Sequence, residues 1–204
     1  QNAKFVDELL KYIEPDFIYN NNPICRFKDN KNQYFAGSQN KSVKLLALKK
    51  QINSIDNCIL KDSSKNLVMG DGNLNSPIMI IGETPGKIEE ESGQSFQGET
   101  GSLLNKMLLA IKIQRENVYL TYSINYRTPE DRKPTSQEIK RYSIYLKEHI
   151  SIINPKMLIL MGGTAMEAVT GLKDRISKER GEWKEIILGD KTFPLMITFS
   201  PSYL

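Results

Sequence analysis

Short apolar runs alternate with stretches of helical spacing along the chain from about residue 77 onwards. The runs predict strands buried in a sheet, at residues 78–81, 118–122 and 157–161. Between them, apolar residues recur at helical spacing from Leu103 to Ile111 and from Thr135 to about Ile152. Two more strands are predicted near residues 184–188 and 193–199. Strands that alternate with helices indicate an α/β domain with a parallel sheet covered on both faces.

The N-terminal part of the chain, up to about residue 54, does not show this alternation of strands and helices. Residues 1–14 have helical spacing, whereas residues 15–41 are polar and typical of a long surface loop or linker. Helical spacing returns over residues 42–54, through Val43, Leu46 and Ile52. We therefore expect an N-terminal helix and polar loop over residues 1–41 and the α/β domain over residues 42–204. Because the first residue is Gln1, we expect the native start to lie upstream.

Composition excludes several classes of protein. No apolar run approaches the ~20 residues that a membrane helix needs, so we expect no membrane partner. Two cysteines, Cys25 and Cys58, are too few for a disulfide framework and fit a reducing cytoplasm. The single histidine, His149, excludes a multi-histidine metal site, and we expect it to be a surface or packing residue. The net charge of +4 permits nucleic-acid binding without requiring it.

Chemistry is expected beyond the carboxyl ends of the strands, where ligands bind in open α/β sheets. The loop after the first strand reads Gly82-Glu83-Thr84-Pro85-Gly86, and its glycines let backbone amides approach an anion or a base. It lacks the phosphate-binding patterns of nucleotide triphosphate and dinucleotide sites. Glu89 to Glu91 follow, and composition alone favours a solvated charge run at a helix start.

A second loop, residues 127–134, carries three cations. Arg132 and Lys133 lie between two prolines, which stiffen the loop and reduce the entropy lost on docking. Such a loop is suited to hold phosphates. The alternative is an ordinary rigid polar connection.

Five pieces of sequence, in order, carry a resemblance to a known family. They are 82–86 with Glu89, Gly93, Phe96, Gly98 and Gly101; Tyr119-Leu120-Thr121 with Arg127, Pro129, Arg132, Pro134-Thr135 and Glu138-Ile139; Gly162 to Ala165; Arg180 to Trp183; and Phe199 to Leu204. Together they resemble the iron–sulfur (family 4) uracil-DNA glycosylases, and the resemblance spans residues 42–204. It implies a three-layer α/β/α sandwich around a short, mainly parallel four-stranded sheet. It also implies a DNA repair enzyme that flips uracil, or a related deaminated base, out of DNA and hydrolyses its N-glycosidic bond.

The resemblance also assigns roles by position. Glu89 matches an acidic residue near the reacting sugar, Thr84 a position that orients water, and Ser200 the position of a histidine; these form the predicted catalytic set. Phe96 matches the aromatic residue that stacks on the base, and Tyr122 stands where an asparagine reads the uracil edge. The predicted base-binding set is Glu83, Gly86, Phe96 and Tyr122. The predicted DNA contacts are Arg127, Arg132, Lys133, Tyr203 and Leu204, the last two as a wedge into the duplex.

Departures from the family concern its cluster. The family holds four iron atoms on four cysteines, whereas only Cys58 remains here, with Ile55, Tyr126 and Tyr142 at the other positions. One thiolate cannot hold such a cluster, so we expect no metal and no other cofactor. We expect the two tyrosine rings and Ile55 to fill its volume by packing.

Further departures concern the base site. A tyrosine offers one hydroxyl and more bulk than an asparagine, and a serine at position 200 removes the histidine that donates to the leaving base. The alternative is therefore a catalytically impaired glycosylase-fold protein that binds DNA or a partner. A ring of Tyr122 that fills the pocket favours this alternative, and a ring at its edge favours altered base choice. A third reading is a nucleotide-binding or cofactor-binding α/β protein unrelated to DNA. We expect a cytoplasmic monomer that acts on DNA.

Overall fold

A mixed sheet of six strands forms the centre of the computed structural model, which describes residues 31–203, with side chains from residue 40. The strands are β1 Asp71–Gly72, β2 Ile78–Gly82, β3 Tyr119–Tyr122, β4 Met157–Met161, β5 Trp183–Leu188 and β6 Lys191–Thr198. Their order is β1-β3-β2-β4-β6-β5. The inner four, β3, β2, β4 and β6, are parallel, and β1 and β5 pair antiparallel at the two edges. The predicted mainly parallel sheet is confirmed, with two antiparallel edge strands added to its four inner strands.

Helices connect and cover these strands. They are α1 Lys31–Asn53, α2 Ile59–Ser63, α3 Lys87–Ser92, α4 Gly98–Ala110, α5 Ser136–Ile153, α6 Gly163–Thr170 and α7 Ile176–Glu179. Single turns of 3-10 helix lie at Arg115–Asn117, Pro129–Asp131 and Pro201–Tyr203. None of the helices between residues 31 and 203 is long and apolar enough to cross a membrane.

The sheet has a hydrophobic core on each face. Met79 and Ile81 of β2 belong to one core, together with buried residues of α1, α5 and α6. Ile80, between them, belongs to the other core, where Leu104 and Leu108 of α4 pack. Because alternate residues of a strand face opposite sides, one apolar run supplies both cores. The predicted three-layer sandwich is confirmed.

Helix α1 begins at Lys31, within the stretch 15–41 that was expected to be irregular, so that expectation is wrong for residues 31–41. The helix is held by tertiary packing, because Leu45, Leu48 and Ile52 are buried on the sheet. Of the three apolar residues that predicted this helix, Ile52 is buried, whereas Val43 and Leu46 are exposed. The predicted helix over residues 1–14 and Cys25 lie outside the described residues, and the domain boundary at residue 42 stays a prediction.

Helix α5 starts with a capping box at Thr135, the residue from which the sequence predicts a helix. The Thr135 hydroxyl accepts from the Glu138 N–H, and the Glu138 carboxylate accepts from the Thr135 N–H at 2.7 Å. Further along the helix, His149 is buried with Nε2 2.9 Å from the Tyr119 hydroxyl. Burial lowers the pKa of His149 to about 3, so the ring is neutral. His149 is a packing residue of the core, not a surface one.

Candidate active site

A cavity of about 530 Å³ opens at the carboxyl ends of β2, β3 and β6, within the about 300–1,000 Å³ typical of ligand sites. All three segments singled out in the sequence contribute to its wall. The predicted residues that line it are Glu83, Thr84, Gly86, Glu89, Phe96, Tyr122, Arg132, Lys133 and Ser200. The structure therefore brings the whole predicted catalytic and base-binding set to one place, together with two of the three loop cations.

Glu89 is buried, and both of its carboxylate oxygens accept backbone hydrogen bonds. One oxygen accepts from the Gly86 N–H at 3.0 Å and the other from the Gln97 N–H at 2.9 Å. The side chain thereby closes the start of α3 and ties the loop before it to the segment that carries Phe96. The Gly86 amide is taken by this contact, so it is not free for a base. The expectation of a solvated charge run is wrong for Glu89 and Glu90, which are both buried, and holds for Glu91.

Glu83 points across the cavity to the start of α6. Its Oε1 accepts from the Thr164 N–H at 2.9 Å, one of the free donors at the beginning of that helix. The chain passes close by at Gly162, where φ is +102° and an added Cβ would lie 2.3 Å from the Glu83 Cδ. A glycine at position 162 therefore leaves room for the Glu83 side chain. The hydrogen bond from Thr164 holds the carboxylate in the cavity wall.

Phe96 and Tyr122 form a stacked pair at the side of the cavity. Their ring centroids are 4.9 Å apart with 22° between the planes, and the Phe96 N–H donates to the Tyr122 hydroxyl at 2.8 Å. Phe96 has a left-handed backbone, with φ of 51°, and its carbonyl accepts from Arg115. Burial raises the pKa of Tyr122, and the nearby Glu89 carboxylate raises it further, so the phenol keeps its proton.

Hydroxyl groups line the rest of the cavity. Thr84 is half-buried, and its side chain has no hydrogen-bond partner among residues 40–203. The Ser200 and Ser202 hydroxyls lie 2.7 Å apart. Ser202, Thr164 and Thr100 also line the cavity and were not predicted. These hydroxyls can donate to or accept from a bound base or a water molecule.

The cations of the 127–134 loop differ in what they contact. Arg127 binds both Asp131 oxygens at 2.7 Å and lies 3.5 Å from the buried Glu90, outside the cavity lining. Arg132 binds Glu138 through two hydrogen bonds, which lower the pKa of Glu138 to about 2. Lys133 makes no side-chain hydrogen bond or ion pair within the described part of the chain. It is the loop cation best placed to meet a phosphate.

Arg132 also lines a second cavity, of about 380 Å³, beside Cys58 and Tyr142. One guanidinium thus forms part of the wall of both cavities.

The predicted wedge follows Ser200 and Ser202 along the chain. Tyr203 is 77 % exposed and stacks on Phe199, with centroids 5.1 Å apart, and the Arg180 guanidinium lies 4.6 Å from the Phe199 ring centroid. An exposed aromatic ring that is supported by a second ring and a nearby cation is suited to stack on nucleobases. Leu204 lies outside the described residues.

Residues 69–204 match the family model of the uracil DNA glycosylase superfamily. The chain belongs to the uracil-DNA glycosylase superfamily. Its resemblance to the family 4 enzymes is confirmed by similarity to the type-4 uracil-DNA glycosylase of Thermotoga maritima, at 38% identity over 148 residues, 72% of this chain and 76% of that protein. The type-4 uracil-DNA glycosylase of Archaeoglobus fulgidus is 31% identical over 157 residues, 75% of this chain and 79% of that protein.

A third relative is part of a much larger protein. A protein of Bacillus phage SP01 named DNA polymerase is 33% identical over 138 residues, which are 67% of this chain and 15% of the polymerase. The uracil-DNA glycosylase fold therefore also occurs as a segment of a longer chain.

The residues present do not fit the iron–sulfur cluster that the family 4 resemblance implies. Cys58, Tyr126, Tyr142 and Ile55 pack together in one hydrophobic core. Neither the phenol of a tyrosine nor the sec-butyl group of Ile55 replaces a thiolate as an iron ligand. Within the described residues, no group of three or more His, Cys, Asp or Glu side chains is arranged to hold a metal ion. Tyr126 and Tyr142 pack edge-on, with ring centroids 6.3 Å apart, and that they fill the volume of the family's cluster stays a prediction.

Proposed function

We propose that this protein removes uracil from DNA by hydrolysing the bond between the base and deoxyribose, after the nucleotide has been flipped out of the duplex. The observation that carries the proposal is the cavity itself. It is open, it lies where α/β folds bind ligands, and it is lined by every residue that the sequence resemblance predicts for catalysis or base binding. The chain matches two proteins over most of their length, and both are named type-4 uracil-DNA glycosylases.

Glu89 is the proposed electrostatic centre. As the bond breaks, the sugar gains positive oxocarbenium character, and a buried carboxylate nearby stabilises that charge or orients the attacking water. The two backbone hydrogen bonds to Glu89 hold it in one position, so it needs little reorganisation during the reaction. Thr84, with a free hydroxyl on the same wall, is the proposed partner for the water.

The leaving base carries negative charge, which hydrogen-bond donors stabilise. Ser200 and Ser202 supply hydroxyls in the part of the site where the family has a histidine. Removal of one such donor from an enzyme typically lowers the rate by about 100-fold or more. We infer that base release here depends on the serine pair and is slower than with a histidine.

Phosphate binding is assigned to Lys133 and Arg132 at the mouth of the cavity, with Tyr203 and Leu204 as the wedge. Arg127 contributes indirectly, by holding the loop through Asp131 and Glu90. Residues of one chain complete the cavity, so a monomer suffices for this activity. The cytoplasmic location expected from the cysteine content stays a prediction.

The open cavity favours excision over the two other readings. Tyr122 forms part of its wall and covers one face of Phe96, and about 530 Å³ stays open beside the ring. The nucleotide-binding reading is not supported by family membership or by any phosphate-binding loop.

The test is base release from single-stranded and duplex oligonucleotides that contain uracil, hypoxanthine or xanthine. We expect release of uracil and a loss of about 100-fold or more in Glu89→Gln, with normal folding checked by thermal unfolding. Glu91→Gln is the matched control, because Glu91 is the exposed neighbour, and it should retain full activity. The proposal is wrong if the wild-type protein releases no base, and the role of Glu89 is wrong if Glu89→Gln is as active as the control.

A further inference from the structure

The geometry points to Tyr122 as the residue that determines which bases the cavity accepts, by occupying the place on Phe96 where an extruded base would stack. This inference rests on the proposed function, since it concerns the same site. It assigns to Tyr122 a role that differs from that of the family's asparagine, which reads the base directly.

Neither aromatic ring offers an open face to the cavity. Phe96 is 3% exposed and Tyr122 is 4% exposed, although both line the cavity. The two rings cover each other, with centroids 4.9 Å apart and nearly parallel planes. A base can therefore stack on Phe96 only after the Tyr122 ring has moved away.

Tyr122 also takes the polar group next to that face. The Phe96 N–H donates to the Tyr122 hydroxyl at 2.8 Å. A nucleobase needs an aromatic face to stack on and a donor or acceptor for its edge, and here one tyrosine occupies both. Its side chain thus competes with the base for the same two contacts.

The backbone that carries Phe96 is anchored, and the movement is assigned to Tyr122. The Phe96 carbonyl accepts from Arg115, which also contacts Asp71. Backbone of Gly82 lies directly against both rings, and an added Cβ there would be 2.7 Å from the Phe96 Cζ. The space that Tyr122 leaves lies against the face of Phe96, where a base would stack.

Displacement of Tyr122 selects bases by their chemistry. The Phe96 N–H loses its acceptor when the tyrosine moves, and a buried donor without a partner is costly. A base with a carbonyl oxygen at this edge replaces the phenol oxygen, whereas an amino group cannot. Uracil carries a carbonyl at position 4 where cytosine carries an amino group, and hypoxanthine carries one at position 6 where adenine carries an amino group. Competition with Tyr122 therefore favours uracil over cytosine and hypoxanthine over adenine.

The experiment measures binding separately from catalysis. Each oligonucleotide carries one 2′-fluoro-deoxyuridine, whose glycosidic bond is stabilised against hydrolysis, or 2′-fluoro-deoxycytidine at the same position. The ratio of the two dissociation constants reports base selection, and fluorescence of an adjacent 2-aminopurine reports extrusion. The proteins are the wild type, Tyr122→Ala, Tyr122→Phe and, as a control for a lost buried tyrosine hydroxyl outside the site, Tyr119→Phe.

We expect Tyr122→Ala to bind the fluorouridine oligonucleotide about tenfold more tightly than the wild type, with more extrusion, because both competing contacts are gone. Tyr122→Phe should bind it several-fold more tightly, because only the competing oxygen is lost, and Tyr119→Phe should match the wild type. Weaker binding of fluorouridine by Tyr122→Ala would overturn the inference, since Tyr122 would then be a contact for the base. If Tyr122→Ala does not fold, unchanged or weaker binding by folded Tyr122→Phe overturns it equally.

Failure of the proposed function gives a different result. In that case no variant releases uracil from the ordinary deoxyuridine oligonucleotide, while the expected gain in binding by Tyr122→Ala still supports the role of Tyr122.

Discussion

The Cys58 thiol lies 3.2 Å from the Tyr142 hydroxyl, and both side chains are buried. The ring of Tyr126 meets that of Tyr142 edge-on at 6.3 Å, and its hydroxyl donates to the Asn53 side chain at 2.7 Å. Burial raises the pKa of Tyr126 to about 12, so its phenol is neutral when it donates to the Asn53 side chain. Two hydrogen bonds and the contact between the two tyrosine rings thus connect α1, the start of α2 and α5, around the one cysteine that the resemblance assigns to the family's cluster.

We expect these contacts to stabilise the fold without iron. Tyr142→Phe removes the hydrogen bond to Cys58 and should lower the free energy of unfolding by about 1 kcal/mol. Tyr145→Phe is the matched control and should be neutral, because the Tyr145 hydroxyl, on the same helix, makes no hydrogen bond within the described residues while its ring also packs against Tyr142. Protein produced with ample iron should contain none by elemental analysis, and an iron chelator should leave its melting temperature unchanged. Bound iron in stoichiometric amount would contradict this account.

Gly82→Ala should disturb the aromatic pair directly. The new methyl group would lie 2.7 Å from the Phe96 ring and 2.9 Å from the Tyr122 ring, so at least one ring must shift. Overpacking of this kind costs about 1–3 kcal/mol, which chemical denaturation measures. Gly163→Ala is the comparison, because no atom lies within 4 Å of its added Cβ and alanine is the better helix former. Equal stability of the two variants would show that the pair adapts freely.

His149 should make the protein sensitive to acid. Its pKa is about 3 in the folded state and near 6.5 when exposed, so the unfolded chain binds the additional proton first as the pH falls. The contribution is fully present above pH 6.5 and declines below it, by about 1.4 kcal/mol per pH unit until the folded-state pKa is reached. His149→Gln should have a flatter stability profile between pH 6.5 and 4. Parallel profiles for the two proteins would rule out His149 as the source.

Substitutions of Lys133 and Arg127 should have different effects, the first on DNA binding and the second on stability. Lys133→Gln removes a cation without a carboxylate partner, so DNA affinity should fall and the salt dependence of binding should decrease by about one counterion, at unchanged stability. Arg127→Gln leaves the buried Glu90 without its cation and should lower stability by about 1–3 kcal/mol. The reverse pattern, with Lys133→Gln destabilised and binding normally, would contradict the assignment of phosphate contact to Lys133.

Local sequence signals predict most of the fold. Short apolar runs identify the buried strands, since residues such as Ile80 and Ile81 face opposite cores and both must be apolar. The capping box at Thr135 identifies the start of α5 because its hydrogen bonds join residues only three positions apart. The polar start of α1 gives no such signal, since its stability comes from packing against distant parts of the chain.

The sequence predicts many of the residues that line the cavity but not the contacts that hold them. The order of motifs brings Glu83, Glu89 and Phe96 to one cavity. Their hydrogen bonds join segments remote in sequence, as in the contact of Glu83 with Thr164, so no local pattern announces them. Burial of Glu90 is unpredictable for the same reason, because its partners Ser64 and Lys65 come from a preceding segment.

Arg132 stands between the place of the family's cluster and the mouth of the base cavity, and it borders both spaces. The guanidinium of Arg132 is held by Glu138, whose position on α5 depends on how that helix packs. If Arg132 contacts phosphate as proposed, a repacking of the neighbouring tyrosines would alter DNA affinity from a distance.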